Sequence, residues 1–178
     1  MVYMINKIVL CRFTFIYMTK RILNSIVFLL ILAAPGFLKA QTKPVSKSFP
    51  SFDLRLADSS LFKSSSIKKG EPVVVIYFSP TCEHCQVFIS DILKNMQSFK
   101  NEKFILVTYL GVDEVKKFEN DYHLKNYKNI IAGTEGFNFT VKNFYDVGPF
   151  PFTAAYDKNL NLKTIYRKPP SMDQLKSL

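Results

Sequence analysis

The sequence predicts an α/β domain built on a central mixed sheet flanked by helices, and three observations predict it. "PVVVIYF" (72–78) and "KFILVTYL" (103–110) are continuous β-branched and aromatic runs, the mark of strands buried on both faces. Each leads into apolar residues at helical spacing, "CEHCQVFISDILKNMQSF" (82–99) and "DEVKKFENDY" (113–122), the latter with acids in its first turn. Near the C-terminus "FTAAYD" (152–157) and "LKTIYR" (162–167) alternate around the turn "KNLN".

The remaining elements follow from local chemistry. In the first helix Val87, Phe88, Leu93, Met96 and Phe99 are expected to share an apolar side, with Ile89 and Ile92 flanking it. "GTEGF" (133–137) reads as a turn, and "NFTVKNFYDV" (138–147) as a short helix or irregular segment. After Pro169-Pro170, "SMDQLKSL" opens with a capping box of Ser171 and Gln174 and sets Met172, Leu175 and Leu178 on one side. No internal repeat, second domain or low-complexity block interrupts this order.

The 178 residues suit one domain plus an additional segment. With 48% hydrophobic and 15% aromatic residues, the chain can build a real core. Its net charge of +10 suggests an anionic partner until the charges are located. Lys7, Arg12, Lys20, Arg21 and Lys39 lie in the first forty residues, which hold no acid. The remaining basic residues are scattered among acids as an ordinary solvated face. No basic stripe interleaved with aromatics is present, which argues against nucleic acid as a partner.

Residues 1–40 read as a signal peptide or membrane-anchor segment. Lys20 and Arg21 form a positive region, "IVFLLILAA" (26–34) an apolar one, and "LKA" ends in Ala40 before a cleavage point at Gln41. The uncharged run 22–38 is at the lower limit for spanning a bilayer, and Pro35-Gly36 interrupts it, so export is favoured over a permanent anchor. Met18 is a second candidate start. Residues 41–48 read as a linker and 49–178 as the folded domain. Periplasm or cell envelope is the expected location.

Export removes Cys11 and leaves Cys82 and Cys85, three positions apart in "SPTCEHCQ". So short a loop makes a poor structural staple. A zinc site needs a second pair of ligands, and only His84 and His123 exist, so no metal site is expected. Redox chemistry and chance proximity remain. Context favours the first, because Cys82 falls at the N-terminus of a helix leaving the C-terminal edge of a strand. Unpaired N–H groups and the helix dipole favour a thiolate there. Cys85, one turn in, is expected to be shielded.

Three stretches carry a resemblance: "FPSFDLRLADSSLFKSSSIKKGEPVVVIYF", "SPTCEHCQ" and "VGPFPFTAAYDKN". From residue 49 onward the chain resembles thioredoxin-fold redoxins, the group of the TlpA- and ResA-type envelope oxidoreductases, related to the AhpC/TSA peroxiredoxins. The resemblance implies a three-layer thioredoxin-like fold with an N-terminal β extension. It implies Cys82 and Cys85 as the catalytic pair, and Pro151 as a cis-proline, with Pro149 the rival position. Phe150, Pro151 and Thr81 would line the substrate groove, while Glu83 and His84 would modulate the thiols. The implied activity is thiol–disulfide exchange without a cofactor, by a monomer acting on client protein disulfides or thiols. The implied electron donor is membrane-linked or thioredoxin-like.

Departures from the pattern narrow this. Ile76 stands where thioredoxin carries a buried acid, leaving Asp53, Glu71 and Glu83 as proton-transfer candidates by sequence proximity. Peroxiredoxins need a Pro-x-x-x-Thr-x-x-Cys frame, and Val75 and Ser79 occupy those positions here, which disfavours peroxide reduction. The alternative class is a thioredoxin-fold binding, chaperone or metallochaperone module without redox turnover.

Overall fold

Val73–Tyr77 form strand β3, and all five residues are buried. A run this apolar finds no solvated face, so it takes the middle of the sheet, where each large side chain removed from water contributes about 1.5–3 kcal/mol. The computed structural model describes Arg21 and residues 46–177, and around β3 it arranges seven strands in the order β2-β1-β5-β4-β3-β6-β7. The others are β1 (Asp53–Leu56), β2 (Leu61–Lys63), β4 (Lys103–Thr108), β5 (Ile130–Thr134), β6 (Phe152–Tyr156) and β7 (Leu162–Tyr166). Strands β3, β4 and β5 run parallel; the remaining pairs are antiparallel, so the sheet is mixed.

Four α-helices lie within residues 46–177: α1 (Glu83–Lys94), α2 (Val112–Asp121), α3 (Thr140–Tyr145) and α4 (Met172–Lys176). Side chains of α1, α2 and α4 pack with Val74, Ile76 and Phe78 on one face. Val141 and Tyr145 of α3 join Phe52, Leu54, Val75 and Tyr77 on the other. The result is the expected three-layer arrangement with an N-terminal β extension, β1 and β2.

Three local readings change. The buried side of α1 is Cys85, Phe88, Ile89 and Ile92, while Val87 is 57% exposed. Positions i, i+3, i+4 and i+7 counted from Cys85 capture the seam; Val87 falls just outside it. The helix also stops at Lys94, because Asn95 turns out of helical geometry and its side chain donates to the carbonyl of Asp91 at 2.9 Å. A 3-10 turn, Met96–Phe99, then delivers Met96 and Phe99 to the core. Strand β5, whose last two residues the sequence assigns to a turn, lies inside the sheet between β1 and β4. Gly133 makes this possible: a Cβ there would meet Leu54 Cβ at 2.8 Å.

Pairing begins inside the predicted linker. Leu162 donates to the carbonyl of Lys47 at 2.8 Å, and Ser48 bridges to Asn161. Apart from Arg21, the predicted signal or anchor segment lies outside the described residues. Among the described residues no helix is long and apolar enough to cross a membrane.

Candidate active site

Strand β3 ends at Tyr77, and the four residues between it and Cys82 set the first cysteine. Phe78 N–H donates to Val107 O at 2.9 Å, continuing the β3–β4 pairing one step further. Ser79 and Thr81 hydroxyls lie 3.0 Å apart, and Gln86 Nε2 donates to Pro80 O at 2.7 Å. Cys82 N–H donates to Ser79 O at 3.0 Å. The loop is therefore fixed from both ends.

Cys82 is the N-cap of α1, with extended backbone at φ −88° and ψ 115°. Its Sγ accepts the Cys85 N–H at 3.4 Å, satisfying one of the four donors that a helix start leaves unpaired. A negative charge on this sulfur would meet that N–H and the positive end of the helix dipole. Cys82 is half-buried, whereas Cys85 is fully buried among Ile76, Phe78 and Ile89. Burial first, then a thiol hydrogen bond with Cys82, pushes the Cys85 thiol up to about 12, which the backbone amide of Ser79 only partly offsets. Both cysteines are free thiols.

The opposite wall comes from the start of β6. Tyr77 pairs with Phe152, so one step further along the register Pro151 faces Phe78. The Phe150-Pro151 bond is cis, the only cis peptide bond among the described residues, and Pro149 is trans. Pro151 is buried; Phe150 is half-buried and touches the cores on both sides of the sheet. The Phe150 ring stacks on Tyr77 at 5.6 Å and lies 6.2 Å from Tyr109.

Thr81, Glu83 and His84 are exposed around Cys82. Glu83, His84 and Val87 also border a groove of about 370 Å³ whose far side is Pro169, Pro170 and Met172. Among the described residues no three His, Cys, Asp or Glu side chains are placed to hold a metal ion. His123 is exposed at the end of α2, in left-handed backbone at φ 51°.

The proton-transfer candidates fare unevenly. Asp53 lies on β1, three strands away from β3, and exposed Glu71 pairs with Lys103 at 3.4 Å at the opposite end of β3 from Cys82. Only Glu83 adjoins the thiols. Ile76 is wholly buried against the Cys85 side of the sheet, so no carboxylate stands at that position. One buried acid holds the ring on which Phe150 stacks, and sequence reasoning missed it. Glu135 accepts the Tyr77 hydroxyl at 2.6 Å and the Val141 N–H at 2.6 Å.

No family model matches the chain, and no curated protein matches it in sequence. Solved structures do match in shape. A secreted Mycobacterium tuberculosis disulfide oxidoreductase homologous to E. coli DsbE superposes with a TM-score of 0.59 at 18% identity, over 71% of this chain and 92% of its own. This is a thioredoxin-like fold. M. tuberculosis DsbF, in mixed oxidised and reduced forms, matches at TM-score 0.56 and 22% identity, over 76% of this chain and 96% of its own. A thiol peroxidase from Chromobacterium violaceum matches at TM-score 0.64 and 13% identity, over 77% and 86%. The thioredoxin-like fold places the helix N-terminus bearing Cys82 beside the strand that begins after Pro151.

Proposed function

We propose that this protein is an exported thiol–disulfide oxidoreductase that reduces client disulfides with the Cys82–Cys85 pair. The observation that carries the reading is the division between the two thiols: Cys82 half-buried at the helix N-cap with an N–H on its sulfur, and Cys85 fully buried behind it.

The chemistry balances with these two residues alone. Cys82, as thiolate, attacks one sulfur of a client disulfide; the client S–S bond breaks and one client thiolate leaves, taking up a proton. Cys85 then loses its proton and attacks Cys82 Sγ. The mixed disulfide breaks, the second client thiolate leaves, and a Cys82–Cys85 disulfide remains. Two electrons and two protons have passed to the client. A membrane-linked or thioredoxin-like dithiol donor, acting by the same exchange, returns the pair to the reduced state.

Phe150, Pro151 and Thr81 form the groove for an extended client segment, and Glu83 and His84 tune the couple. Residues 1–40 serve as the export signal, or as an anchor if uncleaved, which puts the folded domain in the periplasm or cell envelope. Secretion of the DsbE homologue that shares the fold supports this placement. The test is insulin disulfide reduction with dithiothreitol as donor. Wild type should accelerate it, Cys82→Ser should not, and Cys85→Ser should accumulate mixed disulfides. Equal rates for wild type and Cys82→Ser would remove the reading.

A further inference from the structure

Glu135 follows β5 and is only 6% exposed, yet nothing in thiol exchange at Cys82 and Cys85 uses it. Burying a carboxylate is unfavourable unless its oxygens are hydrogen-bonded, so its partners show what it is held for. Oε1 accepts from the Tyr77 hydroxyl at 2.6 Å and from Lys142 N–H at 3.3 Å, and Oε2 accepts from Val141 N–H at 2.6 Å. One side chain therefore ties the end of β3 to the first turn of α3.

The tie leads to the cleft. The Tyr77 ring, anchored by its hydroxyl, stacks on Phe150 with 26° between planes. Tyr109, just past the end of β4, flanks Phe150 and is itself flanked by Phe139 at 6.2 Å. Phe139 holds left-handed backbone at φ 49°, a conformation unusual for a bulky residue, directly before the α3 turn that the Glu135 carboxylate caps. Pro151, which faces Phe78, immediately follows Phe150. The Phe150 ring, held between Tyr77 and Tyr109, thus anchors the residue directly before Pro151.

We infer that Glu135 is a positioning residue for polypeptide clients: through Tyr77 it fixes Phe150, whose backbone meets an extended chain on either side of the client cysteine. This rests on the oxidoreductase reading. Its consequence is a substrate preference for disulfides within extended polypeptide over small disulfides, which reach Cys82 without lying along Phe150.

The experiment compares wild type, Tyr77→Phe and Glu135→Gln on a disulfide-linked peptide and on bis(2-hydroxyethyl) disulfide, with dithiothreitol as electron donor and the uncatalysed rate subtracted. Tyr77→Phe keeps the ring and loses only the hydroxyl, so it decides the matter even if Glu135→Gln folds poorly. Expected for Tyr77→Phe is a rise of about threefold to tenfold in KM for the peptide, with kcat within about twofold and the small disulfide changed less than about twofold. An unchanged peptide KM overturns the inference, and so does an equal loss on both substrates, which would mark a merely structural role. Absence of turnover in wild type on either substrate would instead sink the oxidoreductase reading beneath it.

Discussion

The amide of Cys85 donates to Sγ of Cys82, so the two cysteines of the motif occupy opposite electrostatic situations within one helical turn. Cys82 is half-buried at the positive helix end, while Cys85 is sealed in the core and its thiol is pushed up to about 12. Reactivity follows the thiolate and its exposure. Iodoacetamide at pH 7 should therefore alkylate Cys82 more than about tenfold faster than Cys85, as read by peptide mass mapping. Faster labelling of Cys85 would reverse the roles.

The same burial gives the reduced protein a pH signature. Unfolded Cys85 loses its proton near the ordinary thiol value of about 8.5, whereas the folded protein holds it to about 12. Above the lower value the unfolded state binds fewer protons, so stability falls as pH rises; below it this group contributes no pH dependence. Between pH 7 and pH 10 the dithiol form should lose at most about 2 kcal/mol more than Cys85→Ser in urea unfolding. Parallel losses for the two proteins would show that Cys85 titrates normally.

His84 and Glu83 are exposed in the first turn of α1, and on the proposed reading they act on the couple in opposite senses. Replacing His84 removes an imidazole that, when protonated, would favour a thiolate at Cys82, and leaves the opposing Glu83 in place. His84→Pro should make the couple more reducing by roughly 20 mV, the scale of an exposed charge in water. Equal equilibrium constants with glutathione would mark His84 as a bystander.

Tyr145 of α3 and Tyr156 of β6 share a buried hydroxyl–hydroxyl hydrogen bond of 2.7 Å. Either Tyr→Phe substitution leaves one buried hydroxyl without its partner and should cost about 1–3 kcal/mol. The double substitution should recover part of that loss, a positive coupling in a double-mutant cycle. Strict additivity would mean that water reaches the pair.

How much of this was written in the chain differs by element. Strands β3 and β4 announce themselves because burial on both faces demands an unbroken apolar run. The cysteine pair was legible because a turn and a helical period follow β3 directly. Strand β5 was not: Ile130–Thr134 is short and holds a glycine, and that glycine is explained only by Leu54 packing against it from β1. Glu135 was hidden for a similar reason. An acid beside glycine reads as a solvated turn until Tyr77, 58 residues earlier, is folded over it. Val87 failed through angular ambiguity, since it lies next to the buried stripe and the sequence does not fix where the stripe's edge falls.

The most direct measurement is equilibration of the protein with glutathione buffers of graded potential at pH 7, followed by mass mapping of Cys82 and Cys85. Expected is one reversible two-electron transition, with a tenfold change in the oxidised-to-reduced ratio for about every 30 mV, that ends in a Cys82–Cys85 disulfide. Two free thiols persisting through the most oxidising buffer would contradict the claim that this pair is a redox couple.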